Sequence, residues 1–180
     1  MPVLKNLKIA MFVGDEYEDL ELQYPKYRMR EVAAEVVIAG IEEGVKYVGK
    51  YGYPQVSDAA VKNLSAVDFD GLIVPGGWMP DKLRRYEEVL KFVRDFEKQE
   101  KMIASICHGA WINISADVVK GYRYTSTPGI KDDMTNAGAE WEDAEVVVDR
   151  HHISSRRPDD LPQFCRAIID YLVKQKKTVI

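Results

Sequence analysis

The chain has 180 residues and 46% apolar content, and at about 150 residues per domain this length predicts one domain spanning 1–180. Its 25 Lys+Arg against 29 Asp+Glu give a mixed net charge of −4, which lacks the basic footprint of a nucleic-acid binder and is paired with too much apolar content for disorder. The longest apolar run, Ile9 to Val13, is too short for a membrane span or signal peptide, and only two cysteines are present, so a reduced cytoplasmic protein without a membrane partner is expected.

In chain order, Leu7 to Val13 reads as a buried strand ending at Gly14. The acidic stretch Asp15 to Asp19 suits the positive end of a helix, which then runs from Leu20 to Ala34 with Pro25 near its start or kinking it. Glu35 to Gly40 predicts a second strand, and Gly44 to Val56 a β-hairpin or arm carrying Tyr47, Tyr51 and Tyr53. Phe69 to Val74 predicts a strand stopped by Pro75-Gly76-Gly77. Helical spacing of Val89, Leu90, Val93 and Phe96 then predicts a helix over Leu83 to Gln99. Lys101 to Ile106 predicts a short buried strand running into a helix over His108 to Ala116. Tyr122 to Thr125, Glu145 to Asp149 and His152 to Ser154 read as strands, and Leu161 to Lys174 as a closing helix. Strands alternating with helices predict a mostly parallel sheet between two helical layers, an α/β/α sandwich of flavodoxin-like type.

Several chemistries lack their motifs. There is no G-x-G-x-x-G, no P-loop, no H-E-x-x-H, no C-x-x-C and no G-x-S-x-G. Only His108, His151 and His152 offer imidazole, which is thin for a zinc site, so neither metal nor cofactor is expected.

Ala104-Ser105-Ile106-Cys107-His108-Gly109-Ala110 is the most informative segment. A buried strand enters a helix with a cysteine at the junction, and Ser105 and Gly109 are small where a nucleophile elbow is crowded. The helix N-terminus is expected to favour the Cys107 thiolate and lower its pKa, with the His108 imidazole alongside. Cys165, beside Phe164 on the last helix, reads as core. Read from residues alone, Glu18 is a helix-start acid, Asp81 an N-cap for a helix beginning near Lys82, and His151 and His152 an exposed turn.

Taken with Pro75-Gly76-Gly77 and Tyr17-Glu18-Asp19-Leu20-Glu21-Leu22, this segment resembles the PfpI-type intracellular cysteine protease family. That family belongs to the parkinsonism-associated deglycase superfamily, with a class I glutamine amidotransferase-like fold. The likeness continues through Gly129 to Met134, Asn136 to Trp141, Val146 to Asp149, Ser154-Ser155-Arg156 and Lys177 to Ile180. It implies Cys107 as nucleophile and His108 as base and acid. Glu18 is implied as the carboxyl that bonds the thiol, and the backbone donors of Gly77 and His108 as an oxyanion hole. It also implies Asp81, where relatives carry glutamate, as a triad acid lent by a neighbouring subunit, hence a homo-oligomer from dimer to hexamer. Trp78-Met79, Thr127 and Arg150-His151-His152 depart from the family pattern.

The implied function is cysteine-dependent attack on a carbonyl, as an intracellular peptidase or as a glutathione-independent glyoxalase or deglycase. The substrate would be a small carbonyl compound or a peptide. The alternative is a redox-sensing stress protein or holdase built on an oxidisable Cys107. A glutaminase is disfavoured, because no His-x-Glu pair follows the nucleophile.

Overall fold

The structure, a computed structural model, describes residues 3–178; Val179 and Ile180 of the C-terminal motif lie outside them. Among the described residues eleven strands form: β1 (Lys8–Phe12), β2 (Glu35–Gly40), β3 (Lys46–Val48), β4 (Pro54–Val56), β5 (Ala59–Ala60), β6 (Gly71–Val74), β7 (Met102–Ile106), β8 (Arg123–Tyr124), β9 (Glu140–Trp141), β10 (Val146–Asp149) and β11 (His152–Ser155). Six α-helices accompany them: α1 (Asp19–Glu31), α2 (Met79–Leu83), α3 (Glu87–Lys98), α4 (Ala110–Ser115), α5 (Lys131–Asn136) and α6 (Leu161–Thr178).

Seven strands make the main sheet in the order β10-β11-β7-β6-β1-β2-β5, parallel throughout except for the β10–β11 pair. The chain moves one way from β1 to β2 and the other way from β6 to β7. Right-handed crossovers therefore put α1 and α3 on opposite faces, and a crevice opens at the carboxyl ends of β1 and β6. The central strands read as unbroken apolar runs because both faces are covered: β6 and β7 are buried at every position. On one side α1 packs against α6; on the other α3 packs against α4.

The helix expected over Leu83 to Gln99 is α3, which starts later, at Glu87; Leu83 is the last residue of the separate helix α2. Tyr86 takes an extended conformation and becomes the N-cap of α3, so the chain turns between α2 and α3. In α3 the buried face includes Phe92, which stacks near Phe12, Phe69 and Phe96 with centroids 5.1–6.1 Å apart. Pro25 sits inside α1, where it removes the N–H that would bond the Glu21 carbonyl. The tyrosine-bearing arm is the antiparallel β3–β4 hairpin. The segment between His108 and Ala116 begins as a 3-10 turn over Cys107–Gly109 before α4. The short helix α5 and strand β9 lie where no element was predicted, within a smaller apolar cluster around Tyr124 and Met134. No helix among the described residues is long and apolar enough to cross a membrane.

Candidate active site

Three loops meet at the carboxyl ends of β1, β6 and β7. Ile106 is extended, but Cys107 takes φ +61°, a left-handed conformation that costs a non-glycine residue on the order of 1 kcal/mol. That sharp turn lifts the thiol off the strand end. It also forces the next backbone against the neighbouring loop, where a Cβ on Gly109 would overlap the Val74 carbonyl oxygen. The small residue expected there is thus required by backbone approach.

Gly76 and Gly77 form the facing wall. Gly77 has φ +80°, and a Cβ there would lie 2.5 Å from the Glu18 nitrogen. A Cβ on Gly76 would come within 2.8 Å of the Cys107 Cβ. Backbone bonds hold this wall to the β1 loop: Glu18 N–H donates to the Gly76 carbonyl at 3.1 Å, and Trp78 N–H to the Glu16 carbonyl at 2.9 Å. The backbone N–H groups of His108 and Gly77 favour the Cys107 anion and so act to lower its pKa.

The carboxyl partner of the thiol is Glu21, not Glu18. Glu18 is the N-cap of α1, its Oε2 accepting the Glu21 N–H at 2.8 Å. One helical turn on, the fully buried Glu21 accepts the Gly76 N–H at 2.8 Å through Oε2 and interacts electrostatically with the Cys107 thiol. Its Oε1 has no hydrogen-bond partner among the described residues. Burial first, then the nearby Glu18 charge, push the Glu21 pKa up to about 8. Glu18 stays in the cavity wall, its own pKa raised by burial. The sequence offered no way to choose between these two acids, because both precede the same apolar helix face.

The thiol does not titrate as the helix-terminus argument predicts. Burial, then the Glu21 charge, push the Cys107 pKa well up, and the two backbone donors only partly offset this. A protonated Glu21 removes the second of those pushes, so the pair is best described as sharing a proton. His108 Nδ1 lies 3.3 Å from the Cys107 sulfur. Its ring sits between Trp78 and Trp111, with centroids at 5.2 and 4.8 Å, and burial followed by the Lys50 charge lowers its pKa, favouring the neutral imidazole.

The hairpin arm closes the site from above. Asp19 accepts the Tyr51 and Tyr53 N–H groups at 2.8 and 2.9 Å, and Lys50 N–H donates to the Tyr17 carbonyl. This brings Lys50 and Tyr51 over a cavity of about 160 Å³ that also touches Pro158. Tyr51 was expected on the arm, but neither Lys50 nor Pro158 was singled out from the sequence. A larger hollow of about 420 Å³ lies at the far end of the sheet, between Met102 and Tyr171. It holds no nucleophile, so chemistry rather than size marks the site.

Two further expectations fail within this chain. Asp81 lies inside α2, whose N-cap is Trp78, and it pairs with Arg85 rather than capping a helix. His151 and His152 are not an exposed turn: both are buried, at the opposite end of the sheet. His152 pairs with Ile103 while Cys107 follows Ile106, roughly 13 Å further along the strands, so neither imidazole reaches the thiol. Cys165 is buried in the core as expected, its pKa pushed up to about 12 by burial.

The sequence profile of the DJ-1/PfpI family matches residues 7–171. Deglycase PfpI of Pyrococcus furiosus is 43% identical over 166 residues, covering 92% of this chain and 99% of its own. Protein/nucleic acid deglycase 2 of Escherichia coli is 40% identical over 167 residues, covering 92% and 97%. A crystal structure from Anabaena variabilis, a two-domain protein with DJ-1/ThiJ/PfpI-like and ferritin-like domains, superposes with TM-score 0.91 at 36% identity. It covers 93% of this chain, which spans only 48% of that longer one.

Proposed function

Since this chain belongs to the DJ-1/PfpI family, we propose that it is a cysteine-dependent enzyme acting on small carbonyl compounds, with deglycase or glutathione-independent glyoxalase chemistry at Cys107. The observation that carries the choice of substrate is the cavity. At about 160 Å³ it is the room of some five water molecules, enough for a short aldehyde or ketone and too little for several residues of a peptide.

In this reading the Cys107 sulfur adds to the carbonyl carbon. The S–C bond forms as the C=O π pair moves onto oxygen. The N–H groups of Gly77 and His108, already beside the sulfur, are placed to receive the new oxyanion. The neutral His108 imidazole takes and returns the proton. Glu21, whose raised pKa keeps its carboxyl protonated, retains that proton and leaves no carboxylate charge to repel the thiolate. Lys50 and Tyr51 shape the entrance from the arm.

Asp81 enters this scheme only from a second copy. Within one chain it pairs with Arg85, and the exposed Trp78, Tyr51 and Tyr53 give aromatic surface for such a contact. The working form is then a homo-oligomer, dimer to hexamer, in the cytoplasm.

The test compares wild type with Cys107→Ala on methylglyoxal, on its adduct with N-acetylcysteine, and on a fluorogenic peptide. Loss of methylglyoxal or adduct turnover by a factor of at least about 10³ in the variant is expected. Equal turnover by both proteins overturns the role of Cys107. Peptide cleavage without carbonyl turnover overturns the substrate class.

A further inference from the structure

At the end of the sheet opposite Cys107, three side chains from separate elements converge. Glu97 comes from the last turn of α3, His151 from the β10–β11 turn and His152 from the start of β11. The Glu97 Oε2 lies 2.8 Å from His151 Nε2 and 2.6 Å from His152 Nε2, and the three candidate ligand atoms all fall within 4.8 Å of one another. We propose that Glu97, His151 and His152 bind a divalent transition-metal ion, with Zn²⁺ as the ion the donor set favours.

Two imidazole nitrogens and one carboxylate oxygen make a borderline donor set, which suits Zn²⁺ and its neighbours and disfavours Mg²⁺ and Ca²⁺. Supporting contacts hold each ligand. The Tyr122 hydroxyl donates to Glu97 Oε1 at 2.7 Å and turns Oε2 toward the imidazoles. The Tyr124 hydroxyl lies 2.6 Å from His152 Nδ1 and receives the Asn113 amide at 3.1 Å. A proton on His152 Nδ1 therefore has an acceptor, which leaves Nε2 with a free lone pair. Metal-bound histidines ordinarily have such a second partner.

Position and charge agree. A carboxylate at a helix C-terminus opposes the helix dipole, and a bound cation compensates it. The Arg150 guanidinium is a fixed cation that interacts with both Glu97 and His152. It lies 3.6 Å over the Tyr122 ring and is held by Asp149 and the Gly121 carbonyl, so it does not occupy the cluster. The imidazole side chains are 7% and 0% exposed and Glu97 is 25% exposed, so an ion enters from the Glu97 side and keeps water there as its remaining ligand. The ion would clip α3 to the β10–β11 hairpin, roughly 13 Å from the thiol. Its role is thus stabilising rather than chemical. The scarcity of histidine argued against a metal from sequence, but two of the three imidazoles meet a carboxylate that no local spacing connects to them.

The experiment uses full-length Cys107→Ser protein, so that the Cys107–His108 pair cannot supply the metal site. It is titrated with ZnCl₂ by calorimetry and with CoCl₂ by visible d–d absorption. One ion per chain is expected, with a thermal midpoint raised by about 5 °C at saturating Zn²⁺ and unmoved by MgCl₂. Glu97→Gln and His151→Asn should each weaken Zn²⁺ at least about tenfold and abolish the Co²⁺ spectrum, and Tyr122→Phe should weaken binding about tenfold while leaving both ligand types intact. No binding by the Cys107→Ser protein overturns the proposal. So does binding of equal affinity in folded Glu97→Gln and His151→Asn, since an ion held elsewhere on the surface would behave that way.

Discussion

Glu18 caps the helix that carries Glu21: its Oε2 accepts the Glu21 N–H at 2.8 Å. The cap fixes the first turn of α1, and that turn aims Glu21 at Gly76 and Cys107. The two acids therefore differ in what their loss does. Glu18→Ala should lower stability by roughly 1 kcal/mol through the lost cap, read by urea denaturation. Glu21→Ala should instead remove the carboxylate whose charge raises the Cys107 pKa, read as a faster alkylation of Cys107 above pH 8, where that carboxyl is ionised.

Glu21 also sets a pH dependence. Its folded pKa is raised from the ordinary carboxyl range to about 8, so the folded state binds the extra proton. Its contribution to stability is then full below the ordinary value near 4.5 and is lost as pH rises toward about 8. Glu21→Gln, a neutral near-isostere, should flatten that slope. Its thermal midpoint should match wild type near pH 5 and exceed it by roughly 5 °C above pH 8. An unchanged slope in scans from pH 5 to 9 would contradict a buried, proton-holding Glu21.

Cys107 and Cys165 should part company under oxidant. Cys107 is half-exposed beside hydrogen-bond donors, whereas Cys165 is wholly buried with only desolvation acting strongly on it. Mild peroxide should add two or three oxygens to Cys107 and none to Cys165, seen by peptide mass spectrometry. Oxidation of Cys165 first would count against the described surroundings of both, and rapid oxidation with no carbonyl turnover would favour the redox-sensing alternative.

Gly77 admits no side chain. Its φ of +80° and the approach of the Glu18 nitrogen leave a Cβ only the choice of moving the β1 loop. Gly77→Ala should cost about 2 kcal/mol or more of stability and lower turnover by at least about 10²-fold, since one of the two donors at the sulfur would shift. Wild-type kinetics in this variant would remove Gly77 from the site.

Asp81 gives a test of assembly. If a second copy lends it to His108, Asp81→Asn should reduce kcat with little change in KM while leaving the oligomer intact in sedimentation. A sedimenting species of only 20.5 kDa in wild type would rule out the shared site.

Much of the architecture was legible because local periodicity carries it. The run from Ile9 to Val13, the spacing in α3 and α6, and the glycine stops all report which residues share a face or end an element. The start of α3 at Glu87 was not legible, since the apolar residues before it give no sign that Tyr86 takes an extended backbone. The strand-to-helix cysteine was also visible, because the elbow demands small residues at fixed offsets and Ser105 and Gly109 supply them.

The amino-acid order alone thus determined an α/β chain with a single distinguished thiol, Cys107, and a second, Cys165, in the core. Only the tertiary structure decided what surrounds that thiol. Glu18 and Glu21 lie one helical turn apart, and which of them meets Cys107 depends on how α1 sits over the β6 and β7 ends. The meeting of Glu97 with His151 and His152 depends likewise on the register of β11 against β7. Hydrophobic pattern fixes faces, but the partner of a buried polar group is set by long-range packing, which the spacing of residues along the chain does not encode.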